Sequence, residues 1–346
     1  MRAAALMNRF GAHFHHIIVS LDGRMGCAER LEPSVSFKAL PFLSKPREAL
    51  PSRLSRIRSL LREVQPDKLV TSNWGSIEWA MANRWPRLPH LHMEDGFGPD
   101  EATGQKPHRV CTRCLVLRGS RVLLPSRTLL AAAHGLWRLP EDTLRYVPNG
   151  IDLSRFSPDG PRVPLDVPGE GLLLGTVVAL RAEKNLGRLL RAMALACAQG
   201  AMLRLAIVGE GPELGGLEAQ AALLGLTRNV RFVGYLPDPA AAYRGFDAFA
   251  LSSDTEQMPF SILEAMGTGL PIAATDVGDV RAMLAPANHP FVAGREDEAL
   301  AAALVGLART TPGERAEIGR ANRVRAEVEY DQETMAAHHV ALWRER

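Results

Sequence analysis

The segment DTEQMPFSILEAM, residues 254–266, decides the fold, because it joins an apolar strand to a helix that carries carboxylates. The residues before it, FDAFAL at 246–251, form a short apolar run typical of a buried strand. Pro259 is tolerated in the first turn of a helix, so the pattern predicts a helix that begins near Met258. The segment therefore predicts the carboxyl end of a strand in an open α/β sheet, where such sheets bind ligands.

Glu256 and Glu264 are the two acids of this segment, and they stand eight positions apart. Glu256 is predicted on the loop before the helix and Glu264 inside the helix. An anionic diphosphate suits the free N–H groups of a helix N-terminus, and carboxylates accept hydrogen bonds from ribose or sugar hydroxyls. The pair therefore predicts a nucleotide-sugar site. Taken alone, the spacing also fits a solvated acid before a helix and a buried acid in its first turns.

Residues 256–264, followed by GTGLPIAATDVGD at 267–279, resemble the E-x7-E region of the retaining glycosyltransferases of family 4. Three further segments resemble that family in the same order along the chain: PNGID at 148–152, EKN at 183–185 and GEGPE at 209–213. The order of these motifs is more specific than any one of them.

The resemblance implies the GT-B arrangement, an α/β fold of two Rossmann-like, doubly wound parallel-sheet domains that face a cleft. We expect an N-terminal acceptor-side domain at 1–157, a linker at 158–170 and a C-terminal nucleotide-sugar-binding domain at 171–330. A final helix at 331–346 is expected to cross back to the N-terminal domain. Alternating strand and helix patterns in both halves of the sequence agree with this expectation.

The chain opens on a predicted helix at residues 1–11, whereas in the family a first strand and a glycine-rich loop precede this helix. We therefore expect the first strand of the N-terminal domain to be missing. Either the true start lies upstream or the protein is degenerate.

The resemblance also implies an activity. It predicts a hexosyltransferase that moves a hexose from a nucleotide-diphosphate sugar to a glycan, lipid or small-molecule acceptor, with retention of configuration. No Asp-x-Asp motif follows a predicted strand, so cations and helix N-termini are expected to stabilise the diphosphate leaving group, with no metal and no cofactor.

The donor site is implied by residues that match the family's motifs. Arg181 and Lys184 are expected to neutralise the diphosphate and Glu264 to hold the ribose. The full set of donor-binding residues is Arg181, Lys184, Gly209, Glu210, Tyr235, Met258, Pro259, Phe260 and Glu264.

Catalytic residues are expected where the family places a polar residue, such as histidine, against the transferred sugar. His92 and Asp95 are both candidates, since either the strand end or the Glu-Asp-Gly segment fits that place, and Glu256 is expected to hold the donor sugar. Gly96 and Gly98 beside Asp95 let a backbone approach a ligand. The alternative is a structural histidine and acids that cap a turn.

Ala179 stands where the family often has an arginine of the phosphate clamp, and Arg181 lies two positions later. This departure and the missing strand leave open a catalytically weakened or non-catalytic nucleotide-sugar-binding protein of the same fold. A phosphorylase of similar fold is a further alternative, which would carry a lysine for pyridoxal phosphate.

Composition and charge exclude several classes of protein. With 346 residues, 46% hydrophobic and 23% charged, the chain is an ordinary globular protein, and a net charge of +3 gives no basis for a nucleic-acid partner. The densest basic cluster is Arg53, Arg56, Arg58 and Arg62; it is either the solvated face of a helix or a peripheral contact with anionic lipid at the inner face of the membrane.

Cysteine usage and hydropathy indicate a cytoplasmic protein. No apolar run reaches membrane-spanning length, and the N-terminus lacks the apolar core of a signal peptide. Cys111 and Cys114 form a single C-x2-C without a second pair to close a zinc site, so they are predicted to be reduced thiols on a helix.

Overall fold

The computed structural model describes residues 2–21, 23, 25–42, 47–85, 87–97, 101 and 104–345. Strands and helices alternate through both halves of the chain. The strands are β1 (His15–Ser20), β2 (Ser36–Pro41), β3 (Leu69–Ser72), β4 (His90–Met93), β5 (Arg121–Leu124), β6 (Leu144–Tyr146), β7 (Leu172–Val177), β8 (Leu203–Val208), β9 (Val230–Gly234), β10 (Ala248–Leu251), β11 (Ile272–Thr275) and β12 (Val292–Ala293).

The helices lie between these strands and at the end of the chain. They are α1 (Arg2–Phe10), α2 (Leu50–Val64), α3 (Ile77–Ala82), α4 (Pro107–Val116), α5 (Arg127–Gly135), α6 (Leu186–Ala198), α7 (Leu214–Leu223), α8 (Ala240–Tyr243), α9 (Phe260–Gly267), α10 (Val280–Met283), α11 (Asp297–Arg309), α12 (Pro312–Glu329) and α13 (Gln332–Arg344). The α4 helix carries Cys111 and Cys114, both free thiols, as predicted.

The second lobe is built on a parallel sheet with strand order β12-β11-β10-β7-β8-β9. Its central strands are short apolar runs such as AFAL in β10 and IAAT in β11, buried along their whole length. Such strands are typical of a parallel sheet covered by helices on both faces. Two separate clusters of buried apolar side chains lie in this lobe.

The first lobe contains a parallel sheet with strand order β3-β4-β5-β6 and a separate parallel pair, β1-β2. Among the described residues, no hydrogen-bonded strand joins β1 to β3. In a doubly wound sheet of order 3-2-1-4-5-6, the first strand lies between the second and the fourth. The break thus lies where the expected first strand would pair. Two Rossmann-like parallel-sheet lobes are the predicted fold class, which the structure confirms.

The segment between the lobes and the last helix both have well-defined packing. Leu165 and Val167 are buried in the core of the second lobe, so the Pro- and Gly-rich segment lies against that lobe. The α13 helix packs on the first lobe, where the rings of Trp343 and Phe10 are 4.8 Å apart.

The helix predicted to begin near Met258 begins at Phe260 instead, with Pro259 as its N-cap residue. Pro259 has an extended backbone, with φ −70° and ψ 129°. Glu264 lies inside the helix and Glu256 on the loop before it, as predicted.

Candidate functional site

The loops that leave β7 and β10 lie side by side, because these strands are neighbours in the second sheet. Lys184 lies on the first loop and Glu256 on the second. The Nζ of Lys184 donates a hydrogen bond of 2.6 Å to Oε1 of Glu256, and the hydroxyl of Ser253 donates one of 2.8 Å to the same oxygen. The two charged side chains are 23% and 11% exposed. The ion pair is therefore shielded from most of the solvent but accessible to a ligand.

A second ionic contact fixes the start of α6 against the same loop. Asn185 caps the helix by accepting the N–H of Arg188, and its amide donates to the carboxylate of Asp254. Arg188 lies 2.7 Å from the same carboxylate and also donates to the carbonyl of Ser252. Sequence reasoning missed Arg188 and Asp254. The signal that could have found them is a cation placed in an otherwise apolar helix face, which needs a partner when buried.

Arg181 lies on the same loop as Lys184 but is not brought to Glu256. Its side chain is 65% exposed, and its guanidinium is 4.0 Å from Glu183. Ala179 is exposed on the same loop. The structure thus brings together Lys184 and Glu256, and leaves the expected second cation at the surface.

Gly209, Glu210 and Tyr235 lie together at the ends of β8 and β9. The N–H of Gly209 donates 2.8 Å to the carbonyl of Gly234, and the N–H of Tyr235 donates 3.4 Å to the carboxylate of Glu210. A Cβ on Gly209 would lie 1.9 Å from the carbonyl oxygen of Val178, and its φ is +135°. The glycine therefore permits the β8 exit to contact the loop that leads to Lys184.

Met258, Pro259 and Phe260 differ in exposure. Met258 is buried, and its carbonyl and sulfur accept hydrogen bonds from the side-chain amide and backbone N–H of Asn149. Pro259 is buried as well, whereas Phe260 is 40% exposed. Met258 thus joins the loop after β10 to the loop that follows β6.

Glu264 faces α8, where its Oε2 accepts a hydrogen bond of 2.6 Å from the hydroxyl of Tyr243. Burial raises the pKa of Glu264 to about 7, although the hydrogen bond from Tyr243 acts in the opposite direction. At neutral pH this carboxyl group is therefore divided between its charged and neutral forms.

His92 lies inside the first lobe and not at the cleft surface. Its side chain is fully buried, its Nδ1 is 2.8 Å from Oγ1 of Thr71, and its Nε2 is 3.6 Å from the carboxylate of Glu94. Alternate residues of a strand face opposite sides of the sheet, and on the side of His92 the carboxylate of Glu94 lies against Arg113 of α4. This burial separates His92 from any ligand in the cleft.

Asp95 is exposed at the carboxyl end of β4. Its N–H donates 2.7 Å to the side chain of Asn73, which has φ 56°. The next residue, Gly96, lies against the second lobe: a Cβ there would be 3.2 Å from Cγ of Gln257, the neighbour of Glu256. The structure therefore places the residue after Asp95 in the first lobe against the residue after Glu256 in the second. Gly98 lies outside the described residues.

Glu94 and Glu101 are buried acids close to Asp95 in the chain, and their shared contact with Arg113 was not predicted from the sequence. Arg113, which is fully buried, lies 3.3 Å from each of Glu94 and Glu101 and within 5.3 Å of the ring centres of Trp74, Phe97 and Trp137. A buried arginine needs such partners. Among the described residues, no group of three or more His, Cys, Asp or Glu side chains is arranged to hold a metal ion.

Family models match both halves of the chain. Residues 2–155 match the model described as Glycosyltransferase Family 4, and residues 171–310 match the model described as Glycosyl transferases group 1. The chain belongs to the GT-B glycosyltransferases.

Individual relatives are distant from this glycosyltransferase. The D-inositol 3-phosphate glycosyltransferase of Frankia alni is 28% identical over 330 residues, which cover 84% of this chain and 80% of that protein. EpsF of Bacillus subtilis is 29% identical over 169 residues, 45% of this chain, and the chain spans only 44% of its length.

Solved structures share the fold of this GT-B chain. HepE of Anabaena, in complex with UDP, superposes with a TM-score of 0.77 at 15% identity over 95% of this chain and 99% of that one. A glycosyltransferase of Rickettsia africae superposes with a TM-score of 0.76 at 15% identity over 100% and 95% of the two chains. In the described part of the chain, no helix combines the length and apolar character needed to cross a membrane.

Proposed function

We propose that this protein is a retaining hexosyltransferase of family 4, which transfers a hexose from a nucleotide-diphosphate sugar to an acceptor. The observation that carries the proposal is the Lys184–Glu256 ion pair at the carboxyl ends of two neighbouring strands of the second sheet. The HepE structures, which contain UDP or UDP-glucose, support this class of donor. The second lobe would hold the donor and the first lobe the acceptor.

The ion pair explains how a donor would enter the site. A diphosphate competes with Glu256 for the ammonium group of Lys184, and its charge grows as the glycosidic bond breaks. Glu256 is then released to accept hydrogen bonds from sugar hydroxyls. In this proposal Lys184 stabilises the leaving group without a metal or a cofactor, and the exposed Arg181 can turn toward the same diphosphate.

The remaining donor contacts are assigned by position. Glu264 would accept hydrogen bonds from the ribose, and Gly209, Glu210 and Tyr235 would line the nucleotide side of the site. The segment of Met258, Pro259 and Phe260 would border the donor at the start of α9.

On the first lobe, we assign Asp95 to the reacting face of the sugar. Its support is exposure at the end of β4 and proximity to Gln257 through Gly96. His92, the other candidate, has no exposed surface, so we leave it out of the proposed reaction.

The acceptor is proposed to be a glycan, a lipid or a small molecule, and the protein to act in the cytoplasm. The cluster of arginines on α2 suggested a membrane contact, but the pairing of these arginines within the protein gives that contact less support. Arg53 and Arg56 pair with Glu78 and Glu48, and Arg58 donates to a backbone carbonyl. Flotation with anionic liposomes measures this contact, and protein that stays at the bottom of the gradient removes it from the proposal.

The function is tested by screening nucleotide sugars by calorimetry and then measuring transfer to candidate acceptors. Lys184→Ala should lower kcat/KM by about a hundredfold, the usual effect of removing one group that stabilises charge in a transition state. Lys38→Ala, at an exposed position of β2, is the control and should leave activity unchanged. Full activity of Lys184→Ala would refute the proposal.

A non-catalytic nucleotide-sugar-binding protein is the second candidate, favoured by Ala179 and by the 65% exposure of Arg181. The same experiment separates the two functions. Tight binding of a nucleotide sugar without transfer or hydrolysis would support the binding protein.

A further inference from the structure

Asp279 of the second lobe binds the N-terminus of a helix in the first lobe. Its Oδ2 accepts the N–H of Arg127 at 2.5 Å, and its Oδ1 accepts the N–H and the hydroxyl of Thr128 at 3.0 and 2.7 Å. These are the first two residues of α5. The third N–H, that of Leu129, is accepted by the helix's own cap, Ser126. The other lobe thus supplies the acceptor for two of the N–H groups that a helix leaves unpaired at its start.

The contact between Asp279 and α5 joins a buried carboxylate to a helix N-terminus. Asp279 is 5% exposed, so its charge is held away from water. The positive end of the α5 dipole and three hydrogen bonds to a charged acceptor compensate for this burial. Because the partners are 151 and 152 positions apart and lie on different lobes, this contact exists only while the lobes are together.

Asp279 is also bound to the loop that carries Glu256. Its N–H donates 3.0 Å to the carbonyl of Gln257. The preceding residue, Gly278, has φ +55°, and a Cβ there would lie 2.3 Å from the carbonyl oxygen of Glu256. The loop after β11 therefore lies directly against the backbone of Glu256 and of Gln257, whose side chain contacts the first lobe.

Gln257 completes the connection between the lobes. Its side-chain oxygen accepts the hydroxyl of Ser126 at 3.3 Å, and its Cγ approaches Gly96. The start of α5 thus contacts both Asp279 and the neighbour of Glu256.

We propose that Asp279 is a positioning residue, which holds the two lobes closed and keeps the backbone at Glu256 and Gln257 directed toward the first lobe. This inference rests on the proposed function for its effect on transfer. Donor binding depends mainly on the second lobe, whereas transfer needs Asp95 of the first lobe and Glu256 of the second together. Loss of the contact therefore slows turnover more than it weakens donor binding.

The first experiment needs no substrate. Hydrogen exchange of the amides of Arg127 and Thr128 and small-angle scattering are measured for the wild type, Asp279→Ala and Asp279→Asn. In Asp279→Ala the two amides should exchange at least about tenfold faster, because they lose their acceptor, and the radius of gyration should increase. The control is Asp276→Asn on the same loop, which removes the charge from an exposed pair with Arg281 of α10 and should leave both quantities unchanged.

The second experiment separates positioning from general stability. Asp279→Ala should lower kcat about tenfold or more while the donor Kd, measured by calorimetry with UDP-sugars, changes less than about threefold. Asp279→Asn, which keeps one oxygen acceptor, should recover part of the turnover. Thr128→Val should have little further effect in the Asp279→Ala background, because the two residues act through one contact.

Two results would overturn the inference: unchanged exchange of the α5 amides in Asp279→Ala, or an equal loss of donor affinity and kcat with no change in scattering. Because exchange and scattering are measured without donor, they test the closure contact even if the wild type proves to transfer no sugar.

Discussion

Glu264 and His90 are buried groups whose ionisation affects stability in opposite directions. Burial raises the pKa of Glu264 from 4.5 to about 7, so its stabilising contribution is complete below pH 4.5 and is lost as the pH rises through 7. Burial, helped by the nearby His92, lowers the pKa of His90 from 6.5 to about 3, so its contribution is complete above pH 6.5 and is lost as the pH falls toward 3. Between pH 4.5 and 6.5 each group changes the free energy of unfolding by about 1.4 kcal/mol per pH unit, in opposite directions, so the two changes cancel.

Glu264→Gln removes the pH dependence that Glu264 gives to the free energy of unfolding. The variant should match the wild type at pH 4.5 and exceed its free energy of unfolding by about 3 kcal/mol at pH 8, because the wild type must ionise a buried carboxyl group there. Urea unfolding at both pH values measures the difference. Glu218→Gln on the exposed face of α7 is the control, and it should follow the wild type. A variant that loses stability on raising the pH as the wild type does would contradict this account.

The same substitution tests the proposed ribose contact. Glutamine can still accept from Tyr243 but lacks the charge that strengthens a hydrogen bond from a hydroxyl. More stable protein with weaker donor binding is the combination expected if Glu264 is a binding residue.

At the scale of strands and helices, the sequence predicts which loops matter better than it predicts what their side chains contact. Lys184 and Glu256 could be predicted at one sheet edge because each follows a buried strand. Their direct ion pair could not, because the doubly wound order makes β7 and β10 neighbours but does not fix which side chains of the two following loops meet. Arg113 and Asp279 gave no local signal, since each is explained only by partners from other elements. The burial of His92 likewise depends on which side of its strand is covered.

Gly209→Ala tests the close contact between the exits of β7 and β8. The new methyl group would lie 1.9 Å from the carbonyl oxygen of Val178, in a backbone conformation with φ +135°. We expect a loss of about 2 to 4 kcal/mol in the free energy of unfolding, together with weaker donor binding.

Gly200→Ala is the matched control for that variant. It also has positive φ, +87°, but a Cβ there meets no atom within 4 Å. Gly200→Ala should lower the free energy of unfolding by about 1 kcal/mol and leave donor binding unchanged. Equal effects of the two alanines would mean that backbone strain, and not the contact with Val178, limits this position.

In the whole molecule, the chain crosses between the lobes at two adjacent places. The N–H of Ile151 donates 2.8 Å to the carbonyl of Tyr330, and the N–H of Gln332 donates 3.1 Å to the carbonyl of Ile151. After this second crossing α13 lies on the first lobe, where Lys68 donates to the carbonyl of Leu342. The last helix therefore follows the second lobe in sequence but contributes to the core of the first.

Trp343→Ala should destabilise the first lobe without affecting the second. The indole packs edge-on against Phe10, Phe14 and His16, with ring centres 4.8 to 5.8 Å apart, and it is half-buried. Its removal should cost about 2 to 3 kcal/mol, less than for a fully buried tryptophan. Because the two lobes have separate apolar cores, calorimetry should show one transition moving to lower temperature while the other stays in place.

Trp85→Ala is the control for that variant, since the side chain is 71% exposed in the first lobe and its removal opens no cavity. If Trp343→Ala instead shifts both transitions together, the lobes unfold as one unit. In that case the contacts of Asp279 and Gln257 with the start of α5 would contribute to global stability as well as to closure.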